Sequence, residues 1–108
     1  MGRGKVFQCQ ITVSSGTEDK LLRKHHIEIW EIEEVIYDDP NAFSLSYRKL
    51  YFVYGQTFAG RYLIVLVRVL SAEEIPKLGF TPGTNVMKII TARDMNSHQR
   101  KMYNKRRS

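Results

Sequence analysis

The chain has 108 residues and a net charge of +6 at neutral pH, and 43% of its residues are hydrophobic and 26% are charged. This length supports one domain, residues 1–108, with a single core, because domains usually contain about 100 to 150 residues. The longest apolar run, Tyr62 to Val67, is far shorter than the roughly 20 residues that span a bilayer, and no signal peptide follows Met1, so we expect a soluble, cytoplasmic protein without a membrane partner.

The N-terminal half is predicted to contain one strand and two helices. Bulky and polar residues alternate from Val6 to Val13, which is typical of a strand. After a short polar break, Thr17 provides an N-cap for a helix that ends near His25. A second helix is predicted from Glu28 to Asp38, because its aliphatic residues recur at the spacing of one helix face, and Pro40 prevents it from continuing.

The C-terminal half is predicted to contain a hairpin, a further strand and a helix. Strand-forming residues occupy Lys49 to Tyr54 and Arg61 to Leu70, and the glycines between them favour a turn. The segment Ser71 to Thr84 contains two prolines and two glycines and is predicted to be an irregular connection. The fourth strand is Asn85 to Ala92, and the last helix begins after Asn96, whose distance from the glutamine three residues later is that of a capping box.

These elements predict an α+β fold with a small, antiparallel-rich sheet of about four strands. Two helices lie in the N-terminal half and one lies at the C-terminus, in the order β-α-α-β-β-β-α. The composition leaves open whether the basic tail, residues 104–108, is ordered.

The chain offers few residues for a metal or a cofactor. Cys9 is the only cysteine, so neither an internal disulfide nor a cysteine metal cluster can form, and a buried, unreactive thiol is predicted. His25 and His26 are adjacent and point to different sides of a helix, which is not a metal-ligand spacing. The chain also contains no phosphate loop and no dinucleotide-binding motif. The sequence therefore predicts no metal site and no cofactor.

The net charge is concentrated near the C-terminus. The segment from Lys88 to Ser108 contains seven basic residues and one acidic residue, so the first 87 residues are electrically balanced. Lysine and arginine side chains that meet phosphates release condensed counterions, so this region is predicted to bind nucleic acid. A solvated tail without a ligand is the alternative. The candidate RNA contacts are Lys88, Arg100, Lys101 and Lys105.

Four side chains are candidates for chemistry on a phosphodiester. Arg93 ends a strand and Arg61 begins one, and planar guanidinium groups bind phosphate through two hydrogen bonds and stabilise charge that develops on it. Tyr103, on the last helix, could hydrogen-bond a phosphate or exchange a proton with a ribose hydroxyl, or it could simply pack on the sheet. His98, in the first turn of that helix, is a candidate general acid or base. Together these residues are candidates for a phosphodiester-binding site near the last strand and helix.

Two segments near the C-terminus resemble the BrnT family, toxins of type II toxin–antitoxin systems with a RelE-like ribonuclease fold. The sequence Ile89 to Arg93 and, after a short turn, Gln99 to Tyr103 are similar to the ending of that family. Weaker matches are Arg23 to Ile27 and Gly60 to Val65. The chain departs from the family pattern at His26, where glycine is usual, in a longer connection before the fourth strand, and in the N-terminal strand, which lacks the usual tryptophan-aspartate-proline pattern.

The resemblance implies a small, metal-independent endoribonuclease that cleaves RNA, on or off the ribosome, and thereby inhibits translation. By analogy, the ribose 2′-hydroxyl attacks the adjacent phosphate while Arg93, Arg61 and Arg100 hold and neutralise it. The resemblance also implies a cognate antitoxin as partner, of the kind that carries a ribbon-helix-helix DNA-binding domain.

Two other functions are compatible with these residues. A nucleic-acid-binding protein without catalytic activity would use the basic helix to contact backbone phosphates. A RelE-like protein whose role is protein binding would instead act on a partner such as a topoisomerase, or bind only an antitoxin. These alternatives share the fold and differ in the ligand.

Overall fold

The structure, a computed structural model, describes residues 9–107. No helix in this part of the chain is both long enough and apolar enough to cross a membrane. In chain order the elements are β1 (Gln10–Thr12), α1 (Ser15–His25), α2 (Ile29–Glu33) with a π-helical continuation (Glu34–Asp38), β2 (Phe43–Tyr47), β3 (Leu50–Gln56), β4 (Tyr62–Val69), α3 (Glu74–Lys77), β5 (Val86–Asp94) and α4 (Ser97–Arg107).

The predicted α+β class is confirmed, but the sheet has five strands and is mixed. Its order is β1-β5-β4-β3-β2, in which β1 is parallel to β5 and all other pairs are antiparallel. The prediction of about four strands is wrong because it omits β2. Serines alternate with bulky residues there, and serine favours turns over strands in a sequence reading. In the fold, the main chain of β2 pairs along its whole length with β3, through a two-residue turn at Arg48 and Lys49.

Both ends of α1 are fixed by local hydrogen bonds. The helix begins earlier than predicted, because Ser14 and not Thr17 is its N-cap: the Ser14 hydroxyl oxygen accepts a hydrogen bond from the Thr17 backbone N–H at 3.1 Å. The predicted end at His25 is confirmed, since His26 adopts the left-handed conformation that terminates helices. Of the strand predicted from Val6 to Val13, the structure places β1 in the second half, and residues up to 8 lie outside the described part.

Cys9 lies just before β1 and is half-buried. Its carbonyl oxygen accepts a hydrogen bond of 2.7 Å from the Tyr37 hydroxyl. Burial raises the pKa of the Cys9 thiol, which favours its protonated, less nucleophilic form.

The second predicted helix is α-helical in its first half and π-helical in its second half. After Glu33 the helix widens into a π-helical turn, so the Asp39 backbone N–H donates to the Glu34 carbonyl, five residues earlier, at 2.9 Å. The extra residue places the Asp39 carboxylate against β3, where it accepts a hydrogen bond from the Gln56 backbone N–H at 2.8 Å. A capping or periodicity argument cannot predict this widening, because its partner lies 17 residues further along the chain.

Each face of the sheet carries its own apolar core. Helices α1 and α2 cover one face, where Leu21, Ile32 and Val65 are almost fully buried. Helix α4 covers one end of the other face, where Tyr103 and Ile64 belong to a second cluster. The helix is ordered as far as Arg107, so most of the basic tail at residues 104–108 is helical. The other prediction for this half, an irregular connection at residues 71–84, missed the short helix α3.

Strand β5 contains a bulge next to its uncovered edge. Its register with β4 shifts by one residue between the pairs Leu66–Thr91 and Val67–Ile89, so Ile90 has no partner. Strand β1 pairs with β5 only as far as Lys88. Within the described residues, the C-terminal half of β5 therefore has a neighbouring strand on one side only.

Gly55 on β3 allows the helical layer to approach the sheet. A Cβ at this position would lie 2.6 Å from the Cγ1 atom of Val35, which is itself fully buried. We expect Gly55→Ala to lower the free energy of unfolding by about 1 to 3 kcal/mol, because overpacking forces side chains and backbone to shift. Chemical denaturation would measure this, with Gly16→Ala as the control, since no atom lies within 4 Å of a Cβ there. Equal stability of both variants would contradict the packing argument.

Candidate nucleic-acid interface

A groove of about 370 Å³ opens on the sheet face that carries α4. Paired residues of an antiparallel sheet point to the same face, and two such rows cross β3, β4 and β5 here. One row is Phe52, Leu66 and Thr91, and the other is Tyr54, Ile64 and Arg93. The first row is only partly covered, so an apolar and aromatic floor faces solvent. The residues lining the groove are these six together with His25, Ala92 and Gln99.

Arg93 lines the groove, and hydrogen bonds within the protein hold one end of its guanidinium group. Its Nη1 atom donates to the Asp94 carbonyl at 3.0 Å and to the Gln99 side-chain oxygen at 3.2 Å. The Nε and Nη2 donors form no hydrogen bond within the described part of the chain. This side of the guanidinium is the planar fork that matches two oxygens of a phosphate.

The start of α4 fixes the partner of Arg93. Asn96 and Gln99 form the predicted capping box, with side chain to backbone distances of 2.8 Å and 2.9 Å. The same Gln99 oxygen therefore caps the helix and orients Arg93. An anion at Arg93 would also benefit from the partial positive charge at the N-terminus of α4.

Arg61 has a different role from the one the sequence suggests. Its Nε and Nη2 atoms donate to the Asp94 carboxylate at 2.7 Å and 3.1 Å. Its Nη1 and Nη2 atoms also donate to the backbone carbonyls of His26 at 2.7 Å and His25 at 2.8 Å, and Nη1 reaches Glu31 at 3.1 Å. All five N–H donors of the guanidinium group are thus used inside the protein. Arg61 could bind phosphate only by giving up these bonds, so we leave it out of the candidate interface.

The ion pair with Arg61 changes the acidity of its partner. Hydrogen bonding to Arg61 holds the pKa of the Asp94 carboxyl below its usual range, and the charge of His25 lowers it slightly further. The Asp94 hydrogen bond likewise raises the pKa of Arg61. Both shifts favour the charged forms, as expected for a stabilising pair.

Tyr103 is buried below the groove and does not line it. Only 1% of its surface is exposed, and its hydroxyl donates to the Asp39 carboxylate at 2.6 Å. Its ring packs edge-on against Tyr62, with 5.8 Å between ring centroids. These contacts match the packing alternative for this residue, since its hydroxyl is bonded inside the protein and does not line the groove.

Two histidines, His98 on α4 and His25 at the end of α1, differ in their position relative to the groove. His98 is exposed on the first turn of α4, lies outside the groove and forms no hydrogen bond with a described residue. His25 lines the groove together with Arg93. Sequence reasoning missed His25, because its position depends on Arg61 drawing the last carbonyls of α1 toward β5. The only local signal was its place in the Arg23 to Ile27 match.

The four predicted RNA contacts lie outside the groove. Lys88 belongs to a separate groove beside α3, next to the ion pair of Arg68 with Glu74. Arg100 lies over the Tyr62 ring, 6.0 Å from its centroid. Lys101 and Lys105 are exposed on α4. Among the residues predicted for the site, only Arg93 lines this groove.

Comparison of the chain with models of protein families and with curated proteins found no match. Among residues 9–107, no group of three or more His, Cys, Asp and Glu side chains is arranged to hold a metal ion. The chemistry of the groove itself is the basis of the function proposed below.

Asp94 gives a pH test of its pair with Arg61. A carboxylate whose pKa is lowered by folding stabilises the protein above its unfolded pKa, about 3.9, and this contribution is lost as the pH falls through the lower, folded value. We expect Asp94→Asn to destabilise the protein by an amount that is constant above about pH 5 and shrinks below about pH 4. Denaturation of both proteins from pH 7 to pH 2 measures the difference. A difference that grows in acid would contradict the assignment.

Tyr103→Phe separates the packing role of this tyrosine from a catalytic one. The variant keeps the ring contacts but leaves Asp39 without one donor, so the free energy of unfolding should fall by about 1 to 3 kcal/mol. Because the hydroxyl does not line the groove, any RNA cleavage by the parent should persist in the folded variant. Cleavage lost at a temperature where the variant is fully folded would restore Tyr103 to the site.

Proposed function

We propose that this protein is a BrnT-like toxin with a RelE-like fold, a metal-independent endoribonuclease that binds single-stranded RNA in the groove beside α4. The observation that carries this proposal is the open fork of Arg93 above an apolar and aromatic floor. The residue resemblance to the BrnT family supports the same function, and Arg93 and Gln99 belong both to that resemblance and to the groove.

The groove suits an unpaired nucleotide. Half-buried Phe52 and Leu66 offer a flat apolar surface for the face of a base, and stacking of a base on an aromatic ring contributes about 1 to 3 kcal/mol. Arg93 at the rim would then meet the adjoining phosphate. A base within a duplex cannot reach such a floor, so the favoured substrate is single-stranded RNA.

The proposed reaction is an internal transfer at the phosphate. The ribose 2′-oxygen attacks the adjacent phosphorus and loses its proton to a base, the bond to the 5′-oxygen breaks, and that oxygen is protonated. The Nε and Nη2 donors of Arg93 would stabilise the charge that develops on the phosphate oxygens. His25 is the imidazole that lines the groove, and it is the candidate to accept the proton of the 2′-hydroxyl or to protonate the leaving 5′-oxygen. The partner, a cognate antitoxin with a ribbon-helix-helix domain, rests on the resemblance alone.

A nucleic-acid-binding protein without catalytic activity is the second candidate. It is favoured by the internal hydrogen bonds of Arg61 and Tyr103, two of the four residues first considered for catalysis. Such a protein would use the same groove and the same Arg93 contact, and it would leave RNA intact.

Arg93→Ala tests the proposed reaction. If Arg93 stabilises the transition state, the substitution removes about 2.7 to 4 kcal/mol of that stabilisation and lowers the cleavage rate by about two to three decades. Arg93→Lys should recover only part of the loss, because lysine lacks the planar fork. The measurement is cleavage of total cellular RNA in EDTA, with and without ribosomes, followed by mapping of the new ends.

The matched control is Arg23→Ala, which removes the same charge from an exposed ion pair with Asp19 on α1. Its rate should equal that of the parent. Undiminished cleavage by folded Arg93→Ala would remove Arg93 from the reaction, and binding of RNA without cleavage by the parent would favour the second candidate.

A further inference from the structure

A second groove lies between α1 and β5 and joins the first. It has a volume of about 210 Å³, and two of its lining residues, His25 and Thr91, also line the groove of Arg93. We infer that Lys20 and Lys24 in this second groove form a phosphate-binding subsite for the same single strand of RNA. This inference rests on the proposed function and extends it to the length and path of the substrate.

The path between the two grooves crosses an open part of the sheet. Strand β1 ends its pairing at Lys88, so no strand covers the outer edge of β5 beyond it within the described residues. The bulged residue Ile90 lies in this part of β5, which has no strand on its outer side, and its side chain is 37% exposed. A flexible strand can therefore pass from Arg93 over Thr91 to α1 without meeting another element.

Helix α1 presents its cations to the second groove in a regular arrangement. The lining residues of the helix occur at positions i, i+3, i+4, i+7 and i+8, which form one stripe along a helix. Leu21, in the middle of the stripe, is buried in the core and fixes the rotation of the helix. Lys20 and Lys24 are one turn apart on either side of it. The full set on α1 is Thr17, Lys20, Leu21, Lys24 and His25.

The two lysines are not neutralised by the described residues. Neither forms a salt bridge there, whereas their neighbour Arg23 pairs with Asp19 at 2.8 Å. Lysine side chains beside a groove, with no carboxylate among the groove's lining residues, suit an anionic ligand. Because the second groove adjoins the groove of Arg93 at His25 and Thr91, a polymer with a phosphate on each unit could satisfy both sets of cations at once, whereas a free phosphate would occupy only one of them.

The test compares long and short RNA with two matched double variants. Lys20→Ala/Lys24→Ala removes the proposed subsite, and Arg23→Ala/Lys77→Ala removes the same charge from residues that line neither groove. The probes are fluorescein-labelled 12-nucleotide and 3-nucleotide RNAs with 2′-O-methyl groups, which block attack by the 2′-oxygen. Fluorescence anisotropy over a range of salt concentrations gives the affinities, and circular dichroism checks the fold.

We expect the subsite variant to bind the 12-nucleotide probe about tenfold more weakly, with a salt slope smaller by about 1.4, since each phosphate contact to a single strand contributes about 0.7. Its binding of the 3-nucleotide probe should be unchanged, and the control variant should match the parent with both probes. With unmodified RNA, the subsite variant should lower kcat/KM for the 12-nucleotide substrate by about tenfold and leave kcat/KM for the 3-nucleotide substrate unchanged, because only the long strand reaches the lysines.

Parental affinity of the subsite variant for the long probe would overturn the subsite, while a loss of binding in Arg93→Ala would still support the groove. Equal weakening in both double variants would also overturn the subsite, since it would reflect net charge alone. No binding of either probe by the parent would overturn the proposed function and the subsite with it.

Discussion

The fold around the groove depends on the guanidinium group of Arg61. From the start of β4 it binds the last two carbonyls of α1, a carboxylate of α2 and the carboxylate at the end of β5. These four acceptors lie 30 to 36 residues from Arg61 along the chain, at the C-terminal end of α1, on α2 and on β5. Removing the group would leave two backbone carbonyls without this donor and Glu31 with its bond from the Glu28 backbone N–H alone, in a partly buried place, which costs more than the bonds themselves contribute. The position of His25 and the direction of Arg93, one residue before Asp94, both follow from this arrangement.

The carboxylate of Asp39 is a second polar centre of the fold, beside the guanidinium group of Arg61. Asp39 is buried and accepts hydrogen bonds from the backbone N–H groups of Asn41 and Gln56 and from the Tyr103 hydroxyl. It thereby joins the end of the π-helical turn to β3 and to α4. Arg61 and Asp39 together hold α1 and α4 on either side of the sheet at defined distances. The groove lies on the α4 side of the sheet, where His25 from the end of α1 and Gln99 from α4 both line it.

The sequence predicted the features that depend on neighbouring residues. The capping box of Asn96 with Gln99, the end of α1 at His25 and the hairpin of β3 with β4 each rest on contacts between nearby positions. It could not predict the features that depend on distant partners. Strand β2 is stabilised by pairing with β3, and the π-helical turn by Asp39 reaching Gln56, so neither has a strong local pattern.

The same distinction applies to the candidate site. Arg93 is exposed at the end of a strand, beside a helix that follows at once, and this could be seen in the sequence. The role of Arg61 could not, because an arginine at the start of a strand looks the same whether its donors face solvent or five acceptors of the protein. The burial of Tyr103 depends on Asp39, 64 residues away. A motif therefore identifies residues that matter without saying whether they matter for the reaction or for the fold.

Because Arg61 and Tyr103 are bonded within the fold, few reactive groups remain in the groove, and this limits the rate enhancement that the groove could provide. One well-placed cation raises a reaction rate by about two to three decades, and a general acid or base raises it by about two to four decades. Arg93 and His25 together would then supply about four to seven decades, the low end of enzymatic rate enhancements, which begin near six. A larger acceleration requires that the strand be held on both sides of the scissile bond, so that the 2′-oxygen is aligned with the phosphorus before the reaction. The floor at Phe52 fixes one side, and a strand that also bound along α1 would be fixed on the other. If the groove cleaves RNA with these two groups, the length of RNA that it binds would strongly influence the rate.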